Sequence, residues 1–243
     1  KASLAITFDD GYADNAMVAL PILKKYKLPA TFFIATGFLD NGRMWNDTVY
    51  ETIRRLTTGE HDLSFIGLGK YKINTWQDRV FCAQEVVSSL KHLPHAERCY
   101  KAECLASIAT SDLPNNLMMT SDQIRAMVKA GMEIGGHTVT HPILANLTVD
   151  EASQEIKKGA QQLEQITGKR VRLFAYPNGK PGKDYRSEHV KIVRDLGFEG
   201  AVSTSWGVSD QHTNIHELRR FTPWDRHQTG FILRLLRNYF TQR

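Results

Sequence analysis

The feature of this sequence that most constrains its fold is an alternation of short apolar runs with amphipathic segments. Residues 4–8 and 30–35 are apolar runs typical of buried strands, and residues 15–26 between them carry apolar side chains at helical spacing. A strand, a helix and a second strand in this order form a βαβ unit with parallel strands. The sequence therefore predicts an α/β fold on a parallel sheet, either open or closed into a barrel.

The same alternation returns in the second half of the chain. We predict helices near residues 121–129, 150–167 and 187–196, and strands at residues 132–135, 171–176 and 200–204. Between residues 38 and 120 the pattern changes to helical segments at about 46–56, 76–92 and 95–109, joined by polar loops. We interpret this stretch as a helical insertion in a single domain covering residues 1–243, a length that one α/β barrel often reaches.

Composition and charge argue against a nucleic-acid-binding protein and against a disulfide-rich or cysteine-zinc protein. Hydrophobic residues make up 42% of the chain and charged residues 23%, as in an ordinary globular protein. The net charge is +5, but the basic residues are scattered, so we expect no nucleic-acid partner. The three cysteines are odd in number and lack CxxC spacing, which argues against a disulfide framework or a cysteine-bound zinc.

Targeting signals leave the compartment open between the cytoplasm and the cell envelope. The sequence shows neither a signal peptide nor an apolar run of the ~18 residues that a membrane span needs. Residues 231–240 predict an amphipathic helix with two arginines. We expect this helix to dock on the core, and membrane-surface association is the weaker alternative.

Two neighbouring carboxylates follow the first predicted strand. Asp9 and Asp10 precede Gly11 at the carboxyl end of that strand, where α/β folds place their sites. If a turn at Gly11 brings both carboxylates into one pocket, one of them can hold a metal ion and the other can accept a proton. An Asp-Asp-Gly triplet is also ordinary turn chemistry, so this segment alone leaves both interpretations open.

Two histidines follow the predicted strand at residues 132–135. His137 and His141 are four residues apart, and a helical turn would put both imidazoles on one face. Together with a carboxylate they would form a typical facial metal site. Two incidental histidines are the alternative.

Taken together, these motifs resemble the polysaccharide deacetylase family with the NodB-type domain, carbohydrate esterase family 4. Its T-F-D-D-G motif is matched by residues 7–11, and its H-[ST]-x-x-H motif by His137, Thr138 and His141. Its third motif, F-R-x-P-x-G, is matched by residues 174–179 with Ala175 in place of the arginine. The segment therefore resembles a branch of the family with an F-A-Y-P-x-G motif.

The resemblance implies a fold, a cofactor and a reaction. The expected fold is a distorted (β/α) barrel of about seven parallel strands. The expected cofactor is one divalent metal ion, Zn²⁺ first, with Co²⁺, Ni²⁺ or Fe²⁺ as alternatives, bound by Asp10, His137 and His141. The expected reaction is removal of N-acetyl groups from amino sugars of a bacterial polysaccharide or glycolipid.

The resemblance also implies catalytic roles. Asp9 would be the general base, and the backbone N–H of Tyr12 would stabilise the oxyanion. Because Ala175 replaces the arginine that orients the base in relatives, another cation must do so. Arg172, Arg219 and Arg220 are candidates, and similarity of residues 218–220 to an L-P-R segment of the branch selects Arg220.

Other roles are less well marked in the sequence. The family's L-x-H motif, which supplies the catalytic acid, has no clear match, so the acid is sought among His212, His216 and His227, and we choose His212. Tyr176, Pro177 and Trp206 are expected to contact the substrate. Trp206 would wall the sugar subsite, but a core aromatic is an equally good interpretation of it.

Two other functions fit the same motifs. One is a carbohydrate-binding pseudoenzyme, which the missing acid motif favours. The other is a related hydrolase of a non-peptide C–N bond, such as a deformylase. The presence of Asp9 beside all three metal ligands argues for an enzyme, because a binding protein has no use for a base at that position.

Overall fold

The computed structural model describes residues 3–240, so residues 1–2 and 241–243 of the predicted domain lie outside the described residues. The chain forms two compact units. One contains the residues up to Leu39 together with those from Met119 onward, and the other contains Asp40–Met118.

The described residues form seven strands in two sheets. In chain order they are β1 (Thr7–Phe8), β2 (Thr31–Ile34), β3 (Gly59–Asp62), β4 (Lys70–Ile73), β5 (Glu133–Gly136), β6 (Leu173–Ala175) and β7 (Gly200–Val202). The first unit contains a curled half-barrel sheet of five parallel strands in the order β1-β2-β5-β6-β7. The predicted parallel sheet is therefore confirmed.

The predicted number of about seven strands in this sheet is not confirmed, because within residues 3–240 the sheet has five. Beyond β7 the chain adds only the isolated parallel bridge between Val202 and Leu218. The two remaining strands, β3 and β4, pair with each other and not with the main sheet.

Eight α-helices accompany the strands in the described part of the chain. They are α1 (Leu20–Tyr26), α2 (Trp45–Arg55), α3 (Trp76–Leu90), α4 (His95–Ala106), α5 (Ser121–Lys129), α6 (Val149–Thr167), α7 (Ser187–Asp195) and α8 (Gln228–Phe240). Short 3₁₀ turns occur at Thr36–Phe38, Ser64–Ile66, Leu144–Asn146 and Ile215–Glu217.

Local sequence explains where several helices begin and end. Thr120 and Thr148 each accept a hydrogen bond in a capping box at the start of α5 and α6. Gly168 ends α6 in the left-handed conformation, with φ 67°. The helix before β2 starts as a π-helical turn at Asn15–Ala19, where Pro21 lacks the N–H that an α-helical bond to Met17 requires.

The core of the first unit lies around the central strands. Phe32, Ile34 and Phe174 are fully buried, and Ile134 is 6% exposed. Burial of consecutive residues in β2 explains why this strand is a continuous apolar run and does not alternate.

The second unit has its own hydrophobic core, formed by α2, α3, α4 and the β3–β4 hairpin. The prediction of helices joined by polar loops is wrong for this hairpin. Residues 70–73 alternate polar and apolar side chains, and Ile73 is buried. This alternation with a period of two is typical of a half-buried strand.

The last helix leaves much of its apolar surface exposed. In α8 Leu233 is 62% exposed and Phe240 65%, whereas Asn238 is buried. The helix contacts the residues just before it, where Arg234 pairs with Asp225 and the rings of Phe231 and Phe221 are 6.1 Å apart. Docking of α8 on the core stays a prediction. Among the described helices, none is both long and apolar enough to cross a membrane.

Candidate metal centre and catalytic base

The two carboxylates follow β1 on a left-handed turn. Asp10 has φ 73° and Gly11 has φ 92°, so the chain leaves the extended conformation at the second carboxylate. The carbonyl of Asp10 accepts a hydrogen bond from Ala35 N at 3.2 Å, which ties the turn to the end of β2. Glycine is needed at residue 11 because a Cβ there would lie 2.9 Å from Ile34 Cγ2.

The two histidines lie in a bent loop after β5 and not in the helical turn that their spacing suggested. Thr138 and His141 both have positive φ values, 67° and 52°. The loop nevertheless brings the rings of His137 and His141 together, with centroids 4.8 Å apart and planes inclined at 61°. Strained backbone of this kind collects at functional sites, where surrounding contacts hold it in place.

Glu155 of α6 supplies such contacts. Its Oε2 accepts hydrogen bonds from Val139 N at 2.9 Å and Thr140 N at 2.8 Å, and its Oε1 accepts one from the Thr140 hydroxyl at 3.0 Å. Sequence reasoning missed this residue. Its signal was a charge on the apolar face of the helix, next to the buried Ala152 and Ile156.

Three potential metal-ligating groups converge in the first unit. The Oδ1 atom of Asp10 lies 3.3 Å from His137 Nε2 and 3.4 Å from His141 Nε2. The ligand atoms of all three residues lie within 4.8 Å of one another. Two imidazoles and one carboxylate are the donor set that Zn²⁺ and similar divalent ions accept.

A hydrogen bond to the backbone fixes the orientation of the His137 ring. Its Nδ1 donates to the carbonyl of Ala175 at 2.7 Å, so in the neutral ring the lone pair is on Nε2, which faces Asp10. Burial alone lowers the pKa of His137, but the hydrogen bond with Asp10 and the charges of Asp9 and Asp10 outweigh it and raise the pKa.

Neighbouring positive charges lower the pKa of Asp10. Burial alone raises its pKa, but the hydrogen bond from His137 and the charges of His137, His141 and Arg220 hold it below the usual value. Asp10 is therefore ionised at neutral pH, as a metal ligand must be.

Asp9 forms a two-point ion pair with Arg220. Arg220 Nη1 donates to Asp9 Oδ1 at 2.7 Å, and Nη2 donates to Oδ2 at 2.8 Å. Arg220 also donates from Nε to the carbonyl of Ser203 at 2.9 Å and from Nη1 to the Thr7 hydroxyl at 3.3 Å. The guanidinium thus links the chain after β7 to β1, the two edges of the curled sheet.

The other candidate arginines lie elsewhere. Arg172 pairs with Glu133 at 3.1 Å and Glu199 at 3.5 Å, at the amino-terminal ends of the strands β5, β6 and β7. Arg219 is exposed, and its backbone N donates to Ser209 Oγ at 2.9 Å.

The hydrogen bonds described for His212 and His216 are with residues other than the metal ligands. Within residues 3–240, the hydrogen bonds of His212 are to Asp210 and Gln211, and its side chain is exposed. His216 donates from Nε2 to the carbonyl of Phe198 at 2.9 Å, before the start of β7. His227 is exposed in the residues before α8.

The expected substrate residues differ in accessibility. Tyr176 is fully buried and Pro177 is also buried, so the Tyr176 ring supports the core and does not face solvent. Trp206 is 45% exposed and contacts Phe221 edge-on, with ring centroids 4.8 Å apart. Tyr12 directly follows the Asp10–Gly11 turn, so its backbone N–H belongs to the same loop as the two carboxylates.

The first unit is thus a curled parallel α/β sheet that carries an Asp-His-His cluster and a second carboxylate at its carboxyl edge. This arrangement is that of a candidate metal-dependent hydrolase. The sequence model of the polysaccharide deacetylases matches residues 1–201. The chain therefore belongs to the polysaccharide deacetylase family.

Individual relatives agree with this assignment. The chain is 22% identical over 215 residues to YxkH of Bacillus subtilis, covering 88% of this chain and 49% of YxkH. It thus spans about half the length of that relative.

Solved structures show the same fold. The Streptococcus pyogenes deacetylase PplD, solved in complex with acetate, has a TM-score of 0.59 at 20% identity, covering 95% of this chain and 68% of PplD. IcaB from Ammonifex degensii has a TM-score of 0.55 at 20% identity, covering 90% of this chain and 67% of IcaB.

Proposed function

We propose that this protein is a metal-dependent hydrolase that removes N-acetyl groups from amino sugars of a polysaccharide or glycolipid. One observation carries the proposal: the ligand atoms of Asp10, His137 and His141 lie within 4.8 Å of one another beside a carboxylate, Asp9, that Arg220 holds. Family membership and the names of relatives, including the peptidoglycan-N-acetylmuramic acid deacetylase PdaC of Bacillus subtilis, support the choice of an N-acetylated glycan.

The proposed metal ligands are Asp10, His137 and His141. A divalent ion held by them would polarise the acetyl carbonyl and lower the pKa of a water molecule. Two imidazole nitrogens and a carboxylate favour Zn²⁺, and they also accept Co²⁺, Ni²⁺ or Fe²⁺.

Asp9 is the proposed general base. Both of its oxygens accept charge-assisted hydrogen bonds from Arg220, which fix the direction of the carboxylate. Held in this direction, Asp9 is the group proposed to accept the proton of the attacking water. The backbone N–H of Tyr12 is proposed to stabilise the oxyanion.

Three further assignments complete the proposal. The departing amine needs a proton, and His212 is its proposed donor. Trp206 presents an exposed aromatic face suited to a sugar ring. We also propose that residues at about 38–120 are a helical insertion in one NodB-like domain, residues 1–243, of the F-A-Y-P-x-G branch.

Acetate release from N-acetylated chitooligosaccharides, with metal analysis of the same sample, tests the proposal. We expect acetate and one equivalent of a divalent metal. Glycan binding without acetate release from the metal-loaded protein would overturn it in favour of a pseudoenzyme. Formate release from an N-formylated sugar, without acetate release, would overturn it in favour of a deformylase.

A further inference from the structure

Arg220 reaches Asp9 from residues 215–220, which we call the arginine segment. It runs beside β7, where Leu218 N donates to Ala201 O at 2.9 Å and Ser203 N donates to Leu218 O at 2.8 Å. These bonds form one isolated bridge and not a full strand. The two-point contact between Arg220 and Asp9 depends on where this segment lies.

Two stacked tyrosines lie against the arginine segment. The rings of Tyr176 and Tyr185 are 3.8 Å apart and within 9° of parallel, and both side chains are almost completely buried. The Tyr176 hydroxyl donates to His216 O at 3.0 Å, and the Tyr185 hydroxyl donates to Glu217 Oε1 at 3.2 Å. The two hydroxyls therefore donate hydrogen bonds to consecutive residues of the arginine segment.

Glu217 is held from its other side as well. Its Oε2 accepts a hydrogen bond from Asn214 Nδ2 at 3.0 Å, and its backbone N donates to Asn214 O at 2.8 Å. Tyr185 and Asn214 thus fix both oxygens of the carboxylate. Three residues later, Arg220 N donates to Ser205 O at 3.0 Å and the guanidinium meets Asp9.

We infer that Tyr185 and Glu217 are positioning residues that set the place of Arg220 on Asp9. Neither touches Asp9, so both act through the arginine segment. The inference rests on the proposed function, in which Asp9 is the base. The stacked tyrosines are buried in the core of the first unit, so they give the segment a rigid reference.

The experiment is a double-mutant cycle between Tyr185→Phe and Arg220→Ala, measured as kcat and KM for acetate release. We expect Tyr185→Phe to lower kcat about tenfold with little change in KM, as for a lost hydrogen bond that acts on the base. In the Arg220→Ala background the same change should have no further effect on kcat. An equal loss in both backgrounds would overturn the inference.

Glu217 provides a second variant, in case Tyr185→Phe does not fold. Glu217→Ala should lower kcat, and Glu217→Gln should lower it less, because the amide oxygen still accepts from Tyr185 although the bond from Asn214 Nδ2 is lost. Equal losses in the two variants would contradict the inference. Thr167→Val is the matched control, since it removes a hydroxyl that donates to Leu163 O at 2.7 Å, and it should leave kcat unchanged.

A measurement independent of activity separates this inference from the proposed function. Hydrogen exchange of the Arg220 Nε–H, followed by nitrogen-15 NMR, reports the bond to Ser203 O directly. We expect faster exchange in Tyr185→Phe than in Thr167→Val. Unchanged exchange would refute the positioning role. If the wild-type protein releases no acetate but Tyr185→Phe still exchanges faster than Thr167→Val, only the proposed function is refuted.

Discussion

The guanidinium of Arg220 and the carboxylate of Asp9 meet in a two-point ion pair although 211 residues separate them in sequence. Both side chains are mostly shielded, with 15% of Arg220 and 28% of Asp9 exposed. The pair therefore fixes the direction of the carboxylate beside the Asp-His-His cluster.

Asp9→Asn should abolish turnover without loss of metal. The amide is nearly isosteric but cannot accept a proton, so we expect kcat to fall by about 10² to 10⁴. Metal content by mass spectrometry and acetate release check this. Asp14→Asn, at an exposed position five residues later, is the control. Full activity of Asp9→Asn would assign the base to another residue.

Removal of the metal should abolish activity reversibly. A chelator should stop acetate release, and one equivalent of Zn²⁺ or Co²⁺ should restore it. His141→Ala removes one of three ligands, so bound metal should drop well below one equivalent after dialysis. His227→Ala, which changes an exposed histidine, should keep its metal. Stoichiometric metal in His141→Ala would exclude the proposed ligand set.

Glu155→Gln should weaken metal binding although Glu155 is not a ligand. The carboxylate accepts three hydrogen bonds from the loop between His137 and His141, and an amide has only one acceptor oxygen. Residues that orient ligands typically change metal affinity by about 10- to 100-fold. Competition with a fluorescent chelator measures this, and the exposed Asp150→Asn on the same helix is the control. An unchanged affinity would show that the loop keeps its shape without Glu155.

Cys82 should be inert to thiol reagents in the folded protein. Burial disfavours the thiolate and raises the pKa of Cys82 to about 11, so at pH 8 the thiol is almost fully protonated. Labelling followed by peptide mass spectrometry should show Cys82 modified only after unfolding, and the partly exposed Cys104 earlier. Rising pH should increase the thiolate fraction of Cys82 towards pH 11. Equal labelling of both residues at pH 8 would contradict the burial of Cys82.

Much of the first unit could be predicted from the sequence because its strands are short apolar runs and its helices begin or end at capping residues and glycines. Thr148 and Gly168, for example, mark both ends of α6. The β3–β4 hairpin was missed because only Lys70–Ile73 alternates clearly, whereas Gly59–Asp62 is polar throughout.

The candidate site was predictable only where its residues are contiguous in motifs. Asp10, His137 and His141 follow strands of one parallel sheet, so topology brings them together. Glu155 contacts the loop between the two histidines through tertiary hydrogen bonds, and its local signal is only a charge beside the apolar residues of α6. Among the three candidate arginines, the bridge between Val202 and Leu218 places Arg220 beside Asp9, and such a bridge is not visible in a sequence.

The hydrogen bond from His137 to residue 175 has a consequence for how this site tolerates change. The acceptor is the backbone carbonyl of Ala175, an atom that every amino acid supplies. An exchange of the side chain at residue 175 therefore does not remove the acceptor of this hydrogen bond. The hydrogen bond that orients His137 and the ion pair that holds Asp9 come from different parts of the chain. The guanidinium can therefore come from Arg220 while His137 keeps its bond to the carbonyl of residue 175.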